Sequence, residues 1–427
     1  MKPSVFFKTI GCRLNQAETA TMTAHFSSAG YETTPFGNAS DVTVIHGCAI
    51  TGKAEHSSLY AARQAKRSNP HTLVILAGCP AETLREALTG NPSVDLSIGQ
   101  TEKFNIPEIL NRLYPERFPA PPTPSTDRDI PHFETQRALV KVQDGCDFHC
   151  AYCIVPTARG TPVSRPISEI QEEIKRIVAS GFSEIILTGA NLGRYEDGNS
   201  RLVDLIQDIE TIPDLKRIRL SSIEITTTER AIVEHMSASP KLCPFLHIPL
   251  QSGDDHILTV MGRRYTSTDY RKAIEYAVSR IPDLGLGTDI IVGFPGEDDK
   301  AFNNTVSLIR DLPFSNLHIF PFSRRSGTRA DVLPDQIPES KKKERLQTLT
   351  AIGASQRQIF AESFIGKQVQ VLVERIDGTG KGHGWSGQYI QTQLEGKGLH
   401  PRQIVNASVT RAEAGTMEAL VRSCADR

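Results

Sequence analysis

The sequence predicts an α/β protein in three regions. These are a parallel α/β unit over residues 1–117, an incomplete six-unit (β/α) barrel over 134–364, and a small all-β barrel over 365–427. Three observations predict this. Strand-like and helix-like stretches alternate through residues 1–100 and again from Arg137 to Phe322, the pattern of parallel strands with helical crossovers. A proline-rich stretch over 118–133 (Pro119, Pro121, Pro122, Pro124, Pro131) reads as a linker between the two runs. From Gly366 the pattern changes to period two with glycine-rich turns, as in a small closed sheet.

Within the first region a single motif repeats three times. Val5–Ile10 reads as a strand and leads to Gly11-Cys12. Val42–Ile45 leads to His46-Gly47-Cys48, and Leu73–Leu76 leads to Ala77-Gly78-Cys79. Helices are expected between them, over about 16–29 and 53–67. Open parallel sheets build their sites beyond the carboxyl ends of the strands, so this layout delivers three thiols to one sheet edge.

In the second region the expected strands are Ala138–Gln143, Glu184–Thr188, Arg217–Ser221, Phe245–Leu250, Thr288–Val292 and Asn316–Phe320. Helical patterns such as Ile167–Ser180 and Tyr270–Arg280 lie between. Six such units suit an incomplete barrel better than a closed eight-stranded one. A charged helix is expected over Pro338–Phe364. The last region opens with Val369–Val373 and a turn around Gly378–Gly382.

Composition narrows the function class. The 427 residues carry a net charge of −1, so no global basic signal points to nucleic acid, and any such contact must be local. No apolar run approaches a membrane span, and the first residues lack a signal-peptide pattern. A cytoplasmic protein is expected. Eight cysteines in such a compartment are not expected to be disulfides, which leaves metal ligation or ordinary core packing.

Spacing bears on that choice. Cys146, Cys150 and Cys153 form a C-x₃-C-x₂-C run directly after the first barrel strand. A structural zinc site wants four ligands, and no fourth cysteine or well-spaced histidine completes this one, although His149 lies inside the run. Three thiolates suit an iron–sulfur cubane with one iron left open. A tight-turn cysteine cluster without metal is the plain alternative.

The run Cys146-Asp147-Phe148-His149-Cys150-Ala151-Tyr152-Cys153 resembles the radical S-adenosylmethionine (SAM) signature, including the aromatic before the last cysteine. Ile154-Val155-Pro156-Thr157-Ala158-Arg159-Gly160 and Gly78-Cys79-Pro80 are similar to the methylthiotransferase branch of that family. Gly11-Cys12-Arg13-Leu14-Asn15-Gln16-Ala17-Glu18 most resembles its MtaB sub-branch, as do Leu187–Gly193 and Ser221–Glu224. The resemblance spans essentially the whole chain. It implies an N-terminal methylthiotransferase domain, a radical SAM partial barrel and a C-terminal TRAM domain.

The resemblance implies two 4Fe–4S clusters, with Cys146, Cys150 and Cys153 holding the radical-generating one and Cys12, Cys48 and Cys79 an auxiliary one. SAM then supplies both a methyl group and a 5′-deoxyadenosyl radical, for methylthiolation at C2 of N6-threonylcarbamoyladenosine-37 in tRNA. An inert aromatic C–H needs such cofactor chemistry. One departure stands out: His46-Gly47 occupies the place where the family usually has Asn-Thr before the second cysteine.

Candidate SAM contacts are Gly189, Asn191 and Glu224 at strand ends, Gln251 and Asp289 after or in later strands, and Arg263 after Met261-Gly262; the carboxyl ends of barrel strands converge on one mouth. Gly293-Phe294-Pro295-Gly296-Glu297 is a candidate adenine-holding segment by resemblance. For RNA, Trp385, Tyr389 and Lys381 lie in a glycine-rich stretch. The two rings either stack on unpaired anticodon-loop bases or pack the small barrel. Arg263–Tyr265, Arg324-Arg325 and Lys341–Lys343 are candidate phosphate contacts or solvated faces. Cys243 and Cys424 fit no cluster. Expected partners are the tRNA anticodon loop, an electron donor such as flavodoxin or ferredoxin, and a sulfur donor, with no membrane. The competing substrates are isopentenyladenosine-37 in tRNA and a ribosomal-protein aspartate. A competing class is a non-catalytic iron–sulfur carrier or RNA-binding protein.

Overall fold

A computed structural model describes residues 2–35, 39–119, 131 and 133–421. Pro121, Pro122, Pro124 and Cys424 lie outside the described residues.

The first region is a five-stranded parallel sheet of β1 (Ser4–Thr9), β2 (Glu32–Thr33), β3 (Val42–Gly47), β4 (Leu73–Gly78) and β5 (Leu96–Ile98), in the order β2-β1-β3-β4-β5. Helices α1 (Arg13–Ser28) and α2 (Gly52–Ser68) follow β1 and β3. Strands β3 and β4 are buried along their whole length, which is why they read as near-continuous apolar runs. The two short edge strands, β2 and β5, escape the sequence pattern because so few residues give no period to detect.

The barrel strands are β6 (Ala138–Lys141), β7 (Glu184–Thr188), β8 (Arg217–Leu220), β9 (Phe245–His247), β10 (Gly285–Val292) and β11 (Asn316–Pro321). They form two parallel three-stranded sheets, β8-β7-β6 and β9-β10-β11, joined by a parallel bridge between Ile218 and Leu242. Outward residues such as Val140, Ile185, Leu187, Ile218, Leu286 and Ile290 pack on the helices. One of these is α3 (Ile167–Ala179), whose Ile170, Ile174 and Ile177 share a face. Alternation then turns Leu139, Ile186, Arg219, His247, Asp289 and His318 toward the lumen. Two expected strands are shorter than the pattern suggests. The first barrel strand stops at Lys141, and Gln143-Asp144 pairs instead with Val163-Ser164. The strand from Phe245 ends at His247, two residues before Pro249, which lacks the N–H a ladder needs.

Helix α1 of the first region lies against the lumenal side of β6 and β7, with Ala17 packed on Leu139 and Ile186. Helix α4 (Glu339–Glu362) joins the barrel to the last region: its Leu349 belongs to the barrel core and its Ala361 to the core of the small barrel. That barrel closes through β12 (Gln368–Ile376), β13 (Gly382–Ser386), β14 (Gln391–Glu395), β15 (Ile404–Glu413) and β16 (Thr416–Val421), in the order β12-β13-β14-β16-β15. No helix among the described residues is long and apolar enough to cross a membrane.

The small barrel depends on close backbone approach at Gly384, where a Cβ would lie 1.8 Å from the Leu372 carbonyl oxygen. Gly384→Ala is therefore expected to cost about 1–3 kcal/mol through overpacking. Thermal unfolding followed by circular dichroism tests this, and a variant that melts with the wild type contradicts it.

Candidate active site

Cys146, Cys150 and Cys153 occupy a loop at the carboxyl end of the barrel. Its sharp entry requires Gly145, at φ +70°, where a Cβ would sit 2.0 Å from the Thr161 carbonyl oxygen. The Ala151 N–H donates to the Met261 carbonyl at 2.7 Å, and the Ala151 carbonyl accepts from the Ala330 N–H at 2.8 Å. Tyr152 packs edge-on against Phe294, which ties the 293–297 segment to the cysteine loop. There the Gly293 N–H and the Arg345 guanidinium donate to the Glu297 carboxylate, so that segment is braced from within.

The thiols are half-buried and face positive or polar groups. Arg263 Nη1 donates to Cys150 Sγ at 3.3 Å, and Asn191 Nδ2 lies 3.8 Å from Cys146 Sγ. Arg263 also pairs with Glu224 at 3.1 Å. Burial raises the Glu224 carboxyl, with Arg263 opposing the shift, and burial pushes the Cys153 thiol up to about 12. Asn191 Oδ1, Ser221 Oγ and Glu224 Oε2 are buried without a hydrogen-bond partner among the described residues. Three thiols, with no fourth protein ligand among the described residues, beside three unmatched acceptors, suit an iron–sulfur cluster with a bound ligand that carries an amine. His149 is exposed, and its carbonyl accepts from Arg329, so the arrangement does not suit a closed zinc site.

Cys12, Cys48 and Cys79 stand at the carboxyl ends of the adjacent strands β1, β3 and β4. Gly11, at φ +125°, lets the first loop approach the second: a Cβ there would be 2.5 Å from Cys48 Cβ. Gln100 Nε2 donates to Cys79 Sγ at 3.2 Å, and the Ile50 N–H to Cys48 Sγ at 3.5 Å. Burial pushes Cys48 up to about 12, with Cys12 and Cys79 adding to the shift, so the three thiols sense one another. Thiolates here would need a positive partner, such as the iron of a cluster. The His46 departure is accommodated inside the unit. The imidazole is fully buried, hydrogen-bonds Thr19 Oγ1 at 2.9 Å and the Asn15 carbonyl at 3.1 Å, and packs where a Gly78 Cβ would stand 2.7 Å from it. Burial, reinforced by Lys103, holds it down to about 3, so it is neutral.

The segments that carry the two triads pack together. Ile154, next to Cys153, packs with Ala158, Ala49 and Cys79. Beside this contact, Glu18 of α1 is fully buried and accepts from Lys103 of its own unit at 2.7 Å, and from Lys141 at 2.7 Å and Arg159 at 3.0 Å of the barrel. Arg159 also binds Asp144 at 2.9 Å and Asn15 Oδ1 at 2.8 Å. Burial alone raises the Glu18 carboxyl. Lys103, Arg159 and Lys141 outweigh it and hold Glu18 well below the usual carboxylate range.

The remaining sequence-derived residues are distributed unevenly. Gly189 sits against Gln143, whose Oε1 accepts from the Asn191 N–H at 2.8 Å and whose Nε2 donates to the Gly145 carbonyl at 2.8 Å. Gln143 thus ties the β7 end to the cysteine loop, a role that no motif signals. Gln251 adopts φ 68° and exchanges backbone hydrogen bonds with Asp289 and Ile291. Asp289 is engaged by His247 at 2.9 Å and His318 at 3.3 Å, two partners scattered too widely in sequence to be seen. Trp385 and Tyr389 stack on each other at 4.6 Å and pack among Arg13, Arg137 and Arg219, so these rings are engaged within the chain. Lys381 lies in the Asp377–Lys381 turn. Of the candidate phosphate contacts, Arg325 and Lys342 turn inward: Arg325 pairs with Glu55 at 2.6 Å, and Lys342 donates to the Phe322 carbonyl at 3.1 Å. Cys243 is buried beside Arg217, away from both triads.

Comparison with known proteins agrees with this geometry. The radical SAM superfamily model matches residues 140–309, and that of the uncharacterized protein family UPF0004 matches residues 4–99. The threonylcarbamoyladenosine tRNA methylthiotransferase MtaB of Thermotoga maritima is 37% identical over 399 residues, covering 92% of this chain and 92% of that protein. A tRNA-2-methylthio-N(6)-dimethylallyladenosine synthase of Methylacidiphilum infernorum is 35% identical over 394 residues, covering 87% of this chain and 84% of that protein. The solved structure of the radical S-adenosylmethionine methyltransferase TsrM from Kitasatospora setae, with cobalamin and a 4Fe–4S cluster bound, shares the fold. Its TM-score is 0.58 at 11% identity, over 78% of this chain and 74% of that one.

The Glu18 network makes a stability prediction. Glu18→Gln leaves buried cations unmatched and is expected to cost roughly 3–5 kcal/mol in urea unfolding. Because the native carboxyl titrates below its unfolded value, its contribution is complete above the usual carboxylate range and is lost as pH falls through the native value. The gap between wild type and Glu18→Gln should therefore close toward low pH. A gap that does not change with pH would contradict the assignment.

Proposed function

The chain belongs to the radical SAM methylthiotransferase family, and from that premise we propose that it methylthiolates C2 of N6-threonylcarbamoyladenosine-37 in tRNA. The observation that carries the reading is the pair of cysteine triads, carried on segments that pack together beside the barrel lumen. Two 4Fe–4S clusters and SAM are the cofactors, and when bound they supply a radical strong enough to break an aromatic C–H bond, together with the sulfur and methyl groups. Cys146, Cys150 and Cys153 hold the SAM-cleaving cluster, and Cys12, Cys48 and Cys79 the sulfur-delivering one.

The chain's own residues bind and orient. Arg263 sets the charge beside Cys150 and is itself fixed by Glu224. Asn191, Ser221 and Glu224 offer the unmatched acceptors that an amine requires. Gln143 keeps the β7 end in register with the cysteine loop. The protein works in the cytoplasm with the tRNA anticodon loop, an electron donor of the flavodoxin or ferredoxin type, and a sulfur donor. The threonylcarbamoyl substrate is favoured over the isopentenyl one by the Cys12–Glu18 segment and by the name of the Thermotoga maritima relative.

Cys150→Ala should abolish SAM cleavage, whereas Cys48→Ala should retain cleavage and lose sulfur insertion. SAM cleavage that survives Cys150→Ala, or normal insertion by Cys48→Ala, would contradict the division of labour. Mass spectrometry of tRNA nucleosides from a strain lacking the gene should show loss of 2-methylthio-N6-threonylcarbamoyladenosine, and its return on complementation. If instead the isopentenyl product is lost, the substrate assignment is wrong.

A further inference from the structure

The amino-terminal end of the lumen carries more positive charge than its own carboxylates balance. Arg217 and Arg219 of β8 alternate with the outward-facing Ile218 and Leu220, and so point inward. Both share Glu184, each at 3.1 Å. Arg137 pairs with Glu374 at 2.8 Å. Arg13, the residue after Cys12, donates to the Tyr389 hydroxyl at 2.5 Å and has no carboxylate partner among the described residues. The guanidinium carbons of Arg13, Arg137 and Arg219 lie 5.2, 5.6 and 4.8 Å from the centre of the Tyr389 ring. Four guanidiniums therefore meet two carboxylates. In addition, Arg137 is more than nine-tenths buried, and its Nη1 lacks a hydrogen-bond partner among the described residues.

Like charges held together away from water are unfavourable unless an anion joins them. We propose that this cluster, with half-buried Arg13 at its accessible side, is the subsite for the carboxylate of the threonylcarbamoyl group on the target base. The inference rests on the function proposed above. C2 and N6 of adenine flank N1 on one edge of the ring, so a base that presents C2 to the Cys12 triad brings its N6 substituent to the neighbouring side chains. Arg13 follows Cys12 directly, and a planar guanidinium suits a carboxylate. An apolar N6 substituent would leave the charge unmatched, so the same cluster selects between the two kinds of tRNA base.

The test uses full-length reconstituted holoenzyme and anticodon stem-loop RNAs. Position 37 carries N6-threonylcarbamoyladenosine, its methyl ester or plain adenosine, and dissociation constants and products are measured. Wild type should bind the acid about 30-fold more tightly than the ester, the scale of a lost buried charge pair. Arg13→Gln should bind acid and ester alike, and Arg13→Lys should keep some of the preference. Retention of the full acid-over-ester preference by Arg13→Gln overturns the proposal. So does an equal loss of affinity for all three RNAs, which would place Arg13 on a backbone phosphate instead. Failure of the underlying function shows separately, as wild type that neither prefers nor methylthiolates the threonylcarbamoyl RNA.

Discussion

A buried carboxylate that cannot be satisfied within its own domain holds this molecule together. Glu18 sits on the face of α1 turned toward the barrel and receives one cation from its own unit and two from the barrel. Stripping a carboxylate of water is strongly unfavourable unless charged partners replace the lost hydration. Lys103 alone does not meet that demand. Arg159 and Lys141 do so only when the two units are docked, and Asp144 then balances those two cations on the barrel side. Electrostatics therefore gives the first unit one favoured seat on the barrel. Ala17, one residue before Glu18, adds an apolar contact to the same seat.

Chemistry follows from that seat. Arg159 ends the short helix that begins just beyond Cys153, and the same guanidinium reaches Asn15, three residues after Cys12. Each cysteine triad is anchored within a few residues of one shared ion-pair network, and Ile154 and Cys79 belong to one packing cluster at the join. Beyond Arg13, toward the amino-terminal end of the lumen, the small barrel places Ser386 and Gly387 carbonyls on Arg219, and Tyr389 against Phe245 and Arg13. Three separately patterned regions thus contribute groups to one buried cluster.

The sequence was informative where chemistry repeats or where periodicity is long. The two cysteine triads are legible because each member sits in a local pattern, after a glycine or in a tight run, and the parallel strands are legible as buried apolar stretches. Other features were hidden for physical reasons. Glu18 and Arg159 lie inside recognisable motifs, but their pairing spans 141 residues, and nothing local reveals it. Gln143 reads in the sequence as the last residue of a strand, whereas its side chain joins two loops. Trp385 and Tyr389 looked equally suited to stacking on RNA or to packing. Their stacked rings lie among arginines drawn from both other regions, a setting visible only in three dimensions. Arg325 and Lys342 show the same limit in reverse, as charges read as surface that are in fact buried partners.

In the proposed enzyme the two cysteine triads hold separate clusters side by side across the Glu18 interface. Low-temperature electron paramagnetic resonance of the doubly reduced holoenzyme tests it most directly. Two reduced 4Fe–4S clusters so placed should interact magnetically and broaden the spectrum. That spectrum should collapse to a simple isolated signal when Cys12, Cys48 and Cys79 are replaced together by alanine. A wild-type spectrum that is only the sum of two isolated clusters would contradict it.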